Sequence, residues 1–103
     1  MERIRAIVKR PDEMYGHMTN ISNSLKNLQN TVEGYIETVT VASDLVIICN
    51  EEGVIRNLPF NCELCGHQFF GTLIICGVDG DEFGDIPISF DQWKRFFFKG
   101  GMS

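Results

Sequence analysis

The stretch LVIIC, from Leu45 to Cys49, is the apolar run that decides the fold class of this chain. An uninterrupted aliphatic run of this length, bounded by turn residues, is typical of a buried strand. The preceding segment, Tyr35–Val41, is rich in β-branched residues and predicts a strand that reaches LVIIC through a turn at residues 42–44. A second run, FFGTLIIC from Phe69 to Cys76, predicts another buried strand. The middle of the chain is therefore predicted to form a sheet.

Strand and turn signals also lie outside these runs. Between Arg3 and Lys9 basic residues alternate with apolar ones, which predicts a strand with one buried face and one face in water, ended by Pro11. Residues Met14–Ile21 predict a second strand. We expect a structured loop at Asn57–Asn61, because its proline lacks a donor for a sheet ladder. The acidic segment VDGDEFGD, Val78–Asp85, predicts a turn at which the core of the sheet ends.

Two helices complete the predicted fold. The first covers about Asn23–Glu33, with capping residues at its start and Gly34 after its end. The second follows the capping box SFDQ at residues 89–92 and carries an aromatic stripe. Three successive phenylalanines, 96–98, cannot share one helix face, so we expect Phe98 to be exposed or to contact a partner. The predicted architecture is α+β: a mostly antiparallel sheet of four to six strands with both helices on one face.

Size and composition predict one domain over residues 1–103. The chain has 103 residues, of which 44% are hydrophobic and 22% are charged, as in ordinary folded domains. The N-terminus lacks the apolar core of a signal peptide, and no apolar run approaches the roughly 18 residues of a membrane span. We therefore expect a cytoplasmic protein without membrane contact. We find no catalytic motif, which predicts a protein that is not an enzyme and needs no cofactor.

The cysteines offer one alternative. Cys62, Cys65 and His67 form a Cys-x-x-Cys pair followed by a histidine, which could supply three ligands to zinc. A second paired knuckle is missing, so reduced thiols are the favoured interpretation and no metal site is predicted. Cys49 and Cys76 each end an apolar run, and we expect both in the core.

Charge is segregated along the sequence. The net charge of −5 argues against direct nucleic-acid binding, because phosphates repel such a chain. From Asp44 to Asp91 there are nine acids and one base, Arg56, whereas both ends are basic. We expect the acidic turns around Glu51 and Asp81 to form one negative face that binds a basic groove on a partner. The predicted partner-binding residues are Glu51, Glu52, Glu63, Asp79, Asp81, Glu82 and Asp85.

Several short motifs carry a resemblance. VIICNEEG at residues 46–53, LPFN at 58–61, FGT at 70–72 and VDGDEF at 78–83 resemble a family of uncharacterised small proteins from phages, plasmids and gut Firmicutes. The resemblance covers roughly residues 35–98. In size and character the chain is also similar to type II-A anti-CRISPR proteins from gut metagenomes.

The resemblance implies an inhibitor of a host defence protein, acting by stoichiometric binding as a monomer or homodimer. The implied target is the type II-A CRISPR nuclease, whose positively charged channel could accept an acidic mimic of DNA. Two alternatives stay open: a zinc- or thiol-containing interaction module, and a protein that sequesters a signalling nucleotide through a pocket with phosphate-binding donors.

Overall fold

The computed structural model describes residues 2–102, with the side chains of residues 2–99. These residues form nine strands and two helices, in the order β1 (Arg3–Lys9), β2 (His17–Ser22), α1 (Leu25–Val32), β3 (Ile36–Ala42), β4 (Leu45–Asn50), β5 (Phe60–Leu64), β6 (His67–Phe70), β7 (Leu73–Asp79), β8 (Glu82–Gly84), α2 (Phe90–Gly100) and β9 (Gly101–Met102). In this part of the chain neither helix is long and apolar enough to cross a membrane.

The strands form two antiparallel sheets. The main sheet has the order β2-β1-β7-β4-β3, with β8 also paired to β7. The small sheet has the order β6-β5-β9. At the centre of the main sheet Ile48 lies opposite Ile74, and every residue of β4 is buried. The predicted α+β class is confirmed.

The main sheet is covered on both faces. On one face α1 places Leu28 and Val32 against Ile48 and Ile74. On the other face α2 and the small sheet form a separate core, which includes Trp93. The prediction that both helices share one face is therefore wrong. The apolar runs of β4 and β7 do not alternate with polar residues, so each of their faces needs its own cover.

The predicted strand Phe69–Cys76 is divided in two by Gly71. This glycine has a φ of 83°, in the left-handed region that side chains avoid. A Cβ there would also lie 2.9 Å from Cδ1 of Leu58. The chain turns at this point, so that β6 joins the small sheet and β7 joins the main sheet.

The remaining boundaries follow local signals. Ser24 caps α1 by accepting a hydrogen bond from the Asn27 N–H at 3.2 Å. The capping box of α2 is confirmed, because the backbone N–H of Gln92 donates to Oγ of Ser89 and Ser89 N–H donates to Oε1 of Gln92. The predicted loop at Asn57–Asn61 ends early, since β5 begins at Phe60. The predicted acidic turn Val78–Asp85 is a hairpin that continues the sheet as β8.

Candidate functional site

Three of the predicted partner-binding residues lie on the β7–β8 hairpin. Asp79 and Glu82 are directly opposite each other on the two strands, and Asp81 lies in the two-residue turn between them. Gly80 has a φ of 65° and permits this tight turn. Because Leu45 pairs with Gly77, the preceding residue, Asp44, lies beside the same hairpin. We call Asp44, Asp79, Asp81 and Glu82 the acidic end; all four are exposed.

Glu51 and Glu52 lie at the opposite end of the main sheet. They follow β4, which runs antiparallel to β7, so the exit of β4 is next to the start of β7. The six residue steps of β7 separate the two acidic turns by about 20 Å. The prediction that both turns form one negative face is wrong for this reason. Glu63 lies on the small sheet and not on the main sheet, and its Oε1 accepts a hydrogen bond from Gln68 at 3.5 Å.

Asp85 has a structural contact within the chain. Its Oδ1 accepts a hydrogen bond from the backbone N–H of Arg5 at 2.8 Å, and the N–H of Ile86 donates to the Arg5 carbonyl at the same distance. These bonds attach the end of the β7–β8 hairpin to β1. A partner-binding role for the seven predicted residues stays a prediction, and their placement makes the acidic end their densest group.

No residue of the acidic end forms an ion pair among residues 2–102. The ion pairs found there are His17–Glu13 at 3.0 Å and Lys94–Asp91 at 3.5 Å, and neither includes a residue of the acidic end. Like charges directly opposite on paired strands destabilise a hairpin. The Asp79–Glu82 pair is therefore an unfavourable contact that no ion pair among residues 2–102 offsets.

The Cys-x-x-Cys motif forms a hairpin turn. Cys62 points into the core and is 1% exposed, whereas Cys65 and His67 are exposed. Cys65 and Gly66 have φ values of 52° and 82°, the pair of positive values that a two-residue type I′ turn requires. Within the described residues no three histidine, cysteine or acidic side chains are placed to hold a metal ion. All four cysteines are free thiols.

We expect one thiol per native chain to react with iodoacetamide. Burial raises the pKa of the Cys49 thiol to about 11 and that of Cys76 to about 12, and it also raises the pKa of Cys62. Thiols react as thiolates, so these three should be inert until the chain unfolds. Mass spectrometry should find one label in buffer, four in denaturant and none on native Cys65→Ser. A second label on the native protein would contradict this assignment.

A buried lysine was missed by the sequence analysis. The alternation in β1 placed Lys9 on the water-facing side, but its side chain is 0% exposed. The small sheet covers that side, and Nζ of Lys9 donates to Oδ1 of Asn61 at 2.6 Å. The same Nζ lies 5.5 Å from the ring centroid of Phe97. Burial lowers the pKa of Lys9 below its ordinary value, with the nearby Cys62 and Glu13 acting in the opposite direction.

A family model matches most of the chain. Residues 4–97 match the model of a family described as "Domain of unknown function (DUF3846)". The chain belongs to this family. The expected membership of an uncharacterised small-protein family is confirmed at this level. No curated protein and no solved structure matches the DUF3846 chain.

Proposed function

We propose that this DUF3846 protein is a non-enzymatic inhibitor that binds a protein of a bacterial defence system through the acidic end. The observation that carries the proposal is the cross-strand pair Asp79–Glu82, with Asp81 and Asp44 beside it and no cation in ion-pair distance among residues 2–102. Such a group is unfavourable in the free protein. It becomes favourable when a positively charged surface covers it.

The proposed target is the type II-A RNA-guided DNA nuclease, in the cytoplasm of the bacterial cell. This class of nuclease holds its heteroduplex in a positively charged channel and reads its PAM with arginines. The resemblance in size and character to type II-A anti-CRISPR proteins supports the choice of target. The separation of the two acidic turns limits the contact to one end of the molecule, so the mimicry covers a short stretch of phosphates.

A DNA cleavage assay with purified nuclease and guide tests the target and the site. The wild-type protein should inhibit cleavage when titrated to equimolar amounts and above. The triple variant Asp79→Lys, Asp81→Lys and Glu82→Lys should lose inhibition, because each lysine meets a basic surface with a like charge. Circular dichroism should confirm that this variant is folded.

The remaining predicted acids provide a matched control. The variant Glu51→Lys, Glu52→Lys and Glu63→Lys makes the same change in net charge away from the acidic end, and it should still inhibit. Equal loss in both triple variants would show that net charge matters and not the acidic end. Complete cleavage at a large molar excess of the wild-type protein would exclude the proposed target.

A further inference from the structure

A groove of about 410 Å³ lies along the outer side of α2. Its borders are Tyr15, Asp91, Lys94, Arg95, Phe98 and Lys99. Lys94 and Phe98 are four residues apart, as are Arg95 and Lys99, so α2 presents all four side chains on one side. The volume is within the range of about 300–1,000 Å³ found for small-ligand sites.

Phe98 is the aromatic residue of α2 whose side chain does not pack in the core. Its side chain is 80% exposed, whereas Trp93 and Phe97 of the same helix are buried. Across the groove, the Tyr15 ring packs edge-on against Phe97 with the centroids 5.7 Å apart. The Tyr15 carbonyl also accepts a hydrogen bond from Nε1 of Trp93 at 2.8 Å, which fixes this border. The exposed ring of Phe98 thus borders the same groove as Tyr15, whose backbone is bonded to Trp93.

The cations of the groove are incompletely neutralised. Lys94 lies 3.5 Å from the Asp91 carboxylate and 5.3 Å from the centroid of the Phe90 ring. Arg95 and Lys99 have no carboxylate within ion-pair distance among residues 2–102. The chain is acidic overall, whereas α2 carries three cations and one carboxylate.

We propose that this groove binds a nucleoside phosphate. The guanidinium of Arg95 and the ammonium of Lys99 would bind phosphate oxygens, and the base would stack on the exposed Phe98 ring. The groove of about 510 Å³ between β3 and β6 does not fit this ligand, because Glu37 and Glu51 line it and no lysine or arginine does. The α2 groove is independent of the acidic end and of the proposed inhibition.

Three ligands test the phosphate contact and the base-stacking contact separately. Isothermal titration calorimetry at low salt should compare ATP, adenosine and inorganic pyrophosphate as probes. ATP should bind at least about tenfold more tightly than either of the others, because only ATP has both a ring to stack and phosphates to pair. Equal affinity for ATP and pyrophosphate, or binding of none of the three, would overturn the proposal.

Matched variants assign the contact to the groove. Phe98→Ala should reduce ATP affinity about tenfold and leave pyrophosphate binding unchanged. Arg95→Gln should weaken ATP and pyrophosphate together. Tyr35→Ala and Lys26→Gln remove an exposed ring and an exposed cation elsewhere, and they should bind ATP as the wild type does. Equal weakening by these controls would place the ligand outside the groove and contradict the proposal.

Discussion

Replacing Asn61 with alanine should lower the free energy of unfolding by about 3–5 kcal/mol, the cost of leaving a buried charge and buried carbonyls without partners. Nδ2 of Asn61 donates to the carbonyls of Lys9 at 2.9 Å and Gly71 at 2.7 Å, and its Oδ1 accepts from Nζ of Lys9. One 2% exposed side chain thus joins the main sheet, the small sheet and the turn between them. Urea denaturation followed by circular dichroism measures the loss.

Two further variants test whether the loss of stability comes from the hydrogen bonds of Asn61 and not from substitution in general. Lys9→Met leaves both carbonyl contacts of Asn61 in place and removes a buried charge, so its loss of stability should be smaller than that of Asn61→Ala. Asn30→Ala, on the exposed side of α1, should change stability by no more than about 0.5 kcal/mol. A loss for Asn61→Ala no larger than that of Asn30→Ala would show that the network contributes little.

The Lys9 charge makes part of the Asn61→Ala effect depend on pH. Burial lowers the pKa of Lys9 in the folded state. Between that lowered value and the ordinary value of 10.5, the unfolded chain binds more protons, so the contribution of Lys9 to stability rises with pH. Without Asn61 the charged form loses its acceptor and the folded pKa falls further. The stability difference between wild type and Asn61→Ala should therefore shrink as pH approaches 10.5.

Local signals in the sequence were sufficient for most elements. The LVIIC run predicts β4, and the capping box SFDQ predicts where α2 begins, because both depend on neighbouring residues only. The exposure of Phe98 follows from helix geometry alone. Placement of the helices was not predictable in this way. Because β4 has apolar residues on both faces, each face of the sheet must be covered by another element. The sequence does not show which helix covers which face.

The errors concern contacts between distant segments. Lys9 follows the pattern of an exposed strand residue, and only the small sheet, some fifty residues away, makes its position buried. The segregation of charge along the sequence predicted that the two acidic turns form one negative face. The antiparallel order of β4 and β7 instead places them at opposite ends. Gly71 carried a usable signal, since a glycine within an apolar run often marks a break or a close approach of the backbone.

The second large effect is expected at Gly77, where alanine should lower the free energy of unfolding by about 2–4 kcal/mol, within the costs of overpacking and lost hydrogen bonds. A Cβ at this position would overlap the carbonyl oxygen of Asp85 and lie 3.3 Å from Cδ of Pro87. A backbone carbonyl cannot rotate away as a side chain can. The segment after β8 must move, which breaks the bonds of Asp85 and Ile86 to Arg5.

Gly80→Ala is the matched control, because a Cβ at the tip of the same hairpin meets nothing within 4 Å. Its φ of 65° alone should cost about 1 kcal/mol, the penalty of the left-handed conformation. Equal losses for Gly77→Ala and Gly80→Ala in urea would show that the segment after β8 shifts freely. If Gly77→Ala loses more stability than Gly80→Ala, the shifted segment should also displace β8 and separate Glu82 from Asp79. At a temperature where both variants are folded, the proposed inhibition of the nuclease should then be weaker for Gly77→Ala than for Gly80→Ala, because the position of the acidic end depends on the close packing at Gly77.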